Sequence, residues 1–183
     1  MHGCYFGYSR IGQRDEEHLM VNTKTAPRRE LSFASLDELS AELDRLEAAN
    51  AAGNLGHTGN WTPAQIIDHL ANFWTCSLDG FPGGKPPLLL RVVCQLFFKK
   101  GAKAGNQPPP GFKIPKEAPH FQPREGVTFE QATEALRTCI ERVKRGDSYV
   151  PASPLFGKLT GEEWTRMHLG HCGMHLSFIS INE

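Results

Sequence analysis

A chain of 183 residues with 20 Lys plus Arg against 20 Asp plus Glu has the length of one domain and no net charge with which to gather phosphates, which argues against a nucleic-acid partner. Its five cysteines, Cys4, Cys76, Cys94, Cys139 and Cys172, are odd in number and form no C-x-x-C, so they read as thiols of a reducing, cytoplasmic compartment. That pattern speaks against both a disulfide framework and a cysteine zinc site.

Residues 1–20, "MHGCYFGYSRIGQRDEEHLM", have no basic start followed by an apolar run, so neither a signal peptide nor a membrane span is expected there. They also lack periodicity. We expect a disordered leader or an over-extended start, with a single domain over residues 21–183.

Helix caps organise the rest of the chain. "SLDELSAELDRLEAAN" opens on Ser35-x-x-Glu38 and repeats Leu36, Leu39, Leu43 and Leu46, the stripe of one buried helix face. "WTPAQIIDHLANFW" offers Thr62 as N-cap, Pro63 at the first helical position, Gln65 to close the box, and Trp61 to staple onto Ile66. Between this helix and the next lies a connection holding nine of the thirteen prolines, Pro82 to Pro123. Inside it, "PPLLLRVVCQLFFKK" fits a further helix in which Arg91, Gln95 and Lys99 share a stripe and the rest is apolar. It is too short to span a bilayer. We expect it to pack on the other helices, the alternative being a subunit contact in a homodimer; no membrane partner is expected. "GNQPPPGFKIPKEAPHFQP" should be extended loop, because proline removes donors and resists helix. "VTFEQATEALRTCIERVKRG" repeats the cap with Thr128 and Gln131 and stops at Gly146; "LTGEEWTRMHLGHCGMHLSFI" repeats it with Thr160 and Glu163 and is expected to run nearly to the C-terminus. Four capped amphipathic helices imply an all-α four-helix bundle with a long proline-rich crossover between the second and third.

The last helix carries an unusual apolar face. At about 100° per residue, His168, His171 and His175 fall within roughly a 60° arc. They share it with Trp164, Met167, Met174 and Phe178. On the second helix His69 stands among Ile66, Leu70 and Phe73. Burying several imidazoles costs free energy unless each finds a partner, and one metal ion satisfies several. His171 and His175, at i and i+4, can reach one ion, and His69 from a facing helix would make three nitrogen ligands with a fourth position open. On spacing alone this stands level with a hydrogen-bonded histidine core. The intervening Cys172, Gly173 and Met174 leave no H-E-x-x-H glutamate, so a zincin protease is excluded. Asp68 and Glu163 face away from the ligand arc, and no general base is assigned.

The stretches "GNWTPAQIIDHLANFWTCSLDGFP", "PPPGFKIP" and "PLFGKLTGEEWTRMHLGHCGMHLSF" resemble the domain-of-unknown-function 1569 family, a branch of the DinB/YfiT-like superfamily, over about residues 21 to 179. The resemblance implies a DinB-like four-helix bundle and a divalent metal held by His69, His171 and His175. Characterised members of the superfamily include thiol S-transferases and a thiol-dependent isomerase, and metal-dependent hydrolysis has been proposed. The implied function is therefore a metal-dependent enzyme that activates a thiol or water for S-transfer or hydrolysis on a small molecule, with a low-molecular-weight thiol as co-substrate. The alternative is a non-catalytic metal- or ligand-binding accessory module of a stress response. Zinc is the default metal, and nickel or iron also suits imidazole ligands. His168 has no ligand role in the family pattern and is expected to support the ligands, to line the pocket, or simply to fill the core. Cys76, two turns beyond His69 on the same face, either lines the pocket or serves as a small buried hydrophobe. One departure is Ser153, which stands in "PASPLFG" where a histidine is expected.

Overall fold

The structure, a computed structural model, describes residues 20–83, 86–112, 114 and 118–182. The expectation for the leader concerns residues outside this set, apart from Met20. In chain order the elements are α1 (Leu36–Ala51), β1 (Leu55–His57), α2 (Pro63–Asp79), α3 (Leu88–Val93), α4 (Lys99–Ala104), α5 (Phe129–Lys144), β2 (Ala152–Ser153), β3 (Gly157–Lys158), α6 (Gly161–Leu176) and β4 (Ile179–Ile181). The described residues are mostly helical.

The caps act as their residue types dictate. Thr62, Thr128 and Thr160 each accept from the backbone N–H three residues on, while Gln65, Gln131 and Glu163 return the bond to the cap N–H. In α1, Ser35 accepts from Glu38, but the Glu38 carboxylate reaches one residue further back, to the Ala34 N–H at 2.7 Å. Helix α2 packs most extensively on α5 and also meets α6, and α1 contacts both α5 and α6. Leu39, Leu43, Ile67, Trp74, Leu136 and Leu176 are fully buried between them. Each such side chain contributes about 1.5–3 kcal/mol through removal of apolar surface from water.

Two features depart from an all-α expectation. β1 pairs antiparallel with β4, Gly56 opposite Ser180, and β2 pairs with β3 in a short hairpin. Helix α6 therefore ends at Leu176, short of the C-terminus, because the chain reverses to join the β1 ribbon. The N-terminal segment closes over the same end: the Arg29 N–H donates to the Ser177 carbonyl at 2.9 Å, and the Arg29 guanidinium reaches Glu42 and the Leu176 carbonyl.

The crossover helix packs on α6 through α4, as expected, but its apolar side faces away from the other helices. Residues 88–104 form α3, a π-helical turn over Cys94–Phe98, and α4. Their apolar face points outward: Leu88, Leu89, Leu96 and Phe97 are 71%, 76%, 72% and 74% exposed. Only Cys94 is buried among these residues. The segment is held through polar groups instead. Gln95 and Lys99 lie beside Gly157 of β3, Lys103 pairs with Glu163 of α6, and the Lys103 carbonyl accepts from Arg166 at 2.9 Å. Beyond α4 the loop presses onto α6 so closely that a Cβ on Gly170 would sit 2.3 Å from the Gly105 carbonyl oxygen. Among the described residues no helix is long and apolar enough to cross a membrane.

Candidate metal centre

Packing of α2 on α6 brings His69 against His171 and His175. The nearest ring nitrogens of the three lie within 4.8 Å of one another. Ring centroids are 4.6 Å apart for His69 with His175, 4.6 Å for His171 with His175, and 5.2 Å for His69 with His171.

The proton on His69 is placed by the crossover. Its Nδ1 lies 2.6 Å from the Phe121 carbonyl oxygen, which can only accept, so Nδ1 carries the hydrogen and Nε2 presents a lone pair. That Nε2 faces the Nε2 of His171 at 3.4 Å. The distance is long for a hydrogen bond, for which roughly 2.7–3.2 Å is usual. It matches the edge of a tetrahedron of nitrogen ligands with bonds of about 2.0–2.1 Å, which is about 3.3–3.4 Å. Among the described residues neither ring nitrogen of His175 has a hydrogen-bond partner. Three nitrogen donors converge with lone pairs unspent, which is a donor set that fits a divalent cation.

The Phe121 carbonyl is in turn held by the residue next to His69. Asp68 is fully buried and accepts from the Arg124 backbone N–H at 2.7 Å and from its Nε and Nη2 at 2.8 and 2.6 Å. Asn72, one turn on, donates to Asp68 and to the Gln122 carbonyl. Asp68 thus clamps the crossover onto α2 and is consumed by that role.

Burial keeps the triad neutral. It lowers the pKa of His69, an effect opposed by the Phe121 carbonyl and the Asp68 carboxylate. Burial and neighbouring imidazoles hold His171 and His175 well below the usual histidine value. Aromatic rings wall the cluster: Trp61 stacks on His175 at 5.9 Å and Phe73 lies 4.9 Å from His171. His171 and His175 nevertheless keep partial solvent contact. Two surface cavities, of about 750 Å³ beside Arg28–Ser32 and about 360 Å³ beside Tyr149 and Trp164, are lined by none of the three histidines.

The other candidates fall elsewhere. His168 turns away from the triad, stacks on Trp74 at 4.4 Å, and meets Ser77 Oγ at 2.7 Å. The Ser77 hydroxyl spends its hydrogen on the Trp74 carbonyl, so His168 Nε2 is the donor. Burial depresses its pKa to about 3. Cys76 is buried and outside the triad, and burial together with Asp79 pushes its thiol up to about 11, so it stays protonated at neutral pH. Cys172 is buried and its thiol is likewise raised. Glu163 is taken up by Lys103 and the Thr160 N–H. Ser153 Oγ accepts from the N–H groups of Leu155 and Phe156, shaping the β2–β3 turn. His57 bonds the Gly59 carbonyl and His120 sits in a short 3₁₀ turn, both outside the triad.

Sequence reasoning missed the Phe121 carbonyl and the Asp68–Arg124 clamp, whose members are 52 and 56 positions apart along the chain. It assigned Trp61 to a helix staple and not to the wall of the site.

The curated proteins and the solved structures yield no match to this chain. A family model described as a protein of unknown function, DUF1569, matches residues 25–182, a span that includes every histidine of the triad. The chain belongs to the DUF1569 family.

Proposed function

We propose that this protein is a divalent-metal-dependent enzyme of DinB type, its four long helices α1, α2, α5 and α6 forming the bundle that the resemblance implies. The observation that carries the reading is the convergence of three neutral imidazole donors from two helices, one with its tautomer set by the Phe121 carbonyl. Such a constellation, with three protein ligands and partial solvent access, is that of a catalytic site in preference to a structural one. His69, His171 and His175 would hold the cation. When bound, a divalent cation held by imidazoles lowers the pKa of a thiol or water and supplies a nucleophile near neutral pH. Trp61 and Phe73 flank the cluster with apolar surface and favour a small apolar or weakly polar substrate. A low-molecular-weight thiol is the proposed co-substrate, zinc the default metal, and nickel or iron the alternatives.

The alternative is an accessory module that binds a metal or ligand at the triad without turnover. The two readings separate in one experiment. Protein stripped with a chelator is assayed against thiol–electrophile pairs and esters, then reassayed after zinc, nickel or iron is restored. The enzyme reading requires turnover that disappears with the metal and returns with it. Tight metal binding without turnover in any pair replaces it with the module.

A further inference from the structure

The three histidines of the triad are held in different ways. His69 has its ring fixed by the Phe121 carbonyl oxygen, 2.6 Å from Nδ1. His171 faces His69 through Nε2 and meets the Phe73 ring at 4.9 Å. His175 has no hydrogen-bond partner among the described residues, and its aromatic neighbours there are the two other histidines and Trp61. A ring free to turn about its side-chain bonds spends only a fraction of its time aimed at the other two donors, and metal affinity falls by that fraction.

Trp61 lies parallel to the His175 ring. The planes are 15° apart and the centroids 5.9 Å apart, an offset stack of the kind aromatic pairs prefer. The same indole is 5.0 Å from His69, tilted by 51°, so it borders a ligand from each of the two helices. Its placement is fixed locally. Trp61 precedes the Thr62 N-cap, and the capping box of Thr62 and Gln65 sets the angle at which the chain enters α2. On the other side, the Asn60 side chain exchanges two hydrogen bonds with the Val21 backbone, at 2.7 and 2.9 Å. Gly59 packs on Phe178 so closely that a Cβ would lie 3.3 Å from the ring, and the Thr58 N–H donates to the Phe178 carbonyl at 2.9 Å. The loop that carries Trp61 is thereby anchored to the chain just past His175.

An imidazole that donates its lone pair to a divalent cation becomes electron-poor, and an indole, the best aromatic acceptor for cations, attracts such a ring more than a neutral one. The stack favours the ligating form of His175 as well as fixing its plane. Given the metal site proposed above, on which this inference rests, we propose that Trp61 is a positioning residue of the centre that acts through His175, holding its ring in the orientation that converges on His69 and His171.

The test measures zinc affinity, by competition with a chromophoric chelator, in the full wild-type chain, Trp61→Phe and Trp61→Leu. Trp61→Leu should bind zinc roughly ten-fold more weakly, and Trp61→Phe, which keeps a smaller aromatic face, roughly three-fold. A helix staple alone would change the melting temperature without altering His175, so the second readout is carbon-13 relaxation of the histidine rings in metal-free protein. It should show a rigid His175 ring in the wild type and Trp61→Phe and a mobile one in Trp61→Leu, while His69 keeps its Nδ1–H tautomer in all three. Zinc held as tightly by Trp61→Leu as by the wild type, or an equally rigid His175 ring in both, overturns the proposal and leaves the metal site standing. A wild type that binds no zinc overturns the metal reading and the proposal together. Should Trp61→Leu lose its helical circular dichroism, Trp61→Phe decides, and wild-type affinity in that variant overturns the proposal.

Discussion

One hydrogen bond decides which nitrogen of His69 faces its neighbours, and that bond depends on a carboxylate one residue away. Asp68 holds Arg124, Arg124 holds the end of the crossover, and the crossover places the Phe121 carbonyl on His69 Nδ1. Asp68→Asn should therefore weaken metal binding by about 10–100-fold, as loss of an orienting partner does. Competition with a chromophoric chelator reads the affinity. Nitrogen-detected NMR of His69 adds a signature beyond stability, namely loss of the single Nδ1–H tautomer; unchanged affinity and an unchanged tautomer would contradict the clamp. His168 makes the opposite kind of contribution. Its pKa falls to about 3 on folding, so between that value and the ordinary 6.5 the unfolded chain binds the extra proton and stability rises with pH. Acidification from pH 7 to pH 5 should cost about 2 kcal/mol through this residue alone. Urea unfolding in the presence of chelator should show His168→Gln losing that much less over the same interval. The i, i+4 spacing made the His171–His175 pair legible, and the apolar stripe around His69 supplied the third candidate. His168 was set apart from the ligands, but whether it supported them or filled the core was not legible, because its partner, Ser77, lies 91 residues away on another helix.

Helix starts are local chemistry, and they were readable for that reason. Thr62, Thr128 and Thr160 each satisfy an orphan N–H within three residues, and each Thr→Ala variant should lose about 0.5–2 kcal/mol in denaturant unfolding. Gly170→Ala should cost more than the cap variants, although alanine is the better helix former, because its Cβ would meet a backbone carbonyl at 2.3 Å. A variant as stable as wild type would mean that the crossover loop is not seated on α6 as described. The β1–β4 ribbon escaped sequence reading because strands of three residues are too short to show a period, and their pairing joins positions more than 120 residues apart. The orientation of the α3–α4 segment was not legible for a related reason. Its amphipathic pattern was evident, but the pattern alone does not say which face meets the protein, and here Lys103, Arg166 and Glu163 turn the polar side inward.

At the scale of the molecule, the triad ties α2 to α6 across the core. A cation bound there stabilises the folded state in proportion to the logarithm of its concentration over its dissociation constant, about 2.7 kcal/mol at a hundredfold excess. Chelation should therefore lower the melting temperature of the wild type and leave that of His171→Ala unmoved; equal shifts in both would place the metal elsewhere. The central claim is that the three histidines form one metal site, and elemental analysis of protein purified without a histidine tag tests it most directly. The wild type, His57→Ala and His120→Ala should each carry about one divalent metal ion per chain, as a single three-histidine site requires, while His69→Ala, His171→Ala and His175→Ala should carry almost none. Equal metal content in all six proteins would contradict the account.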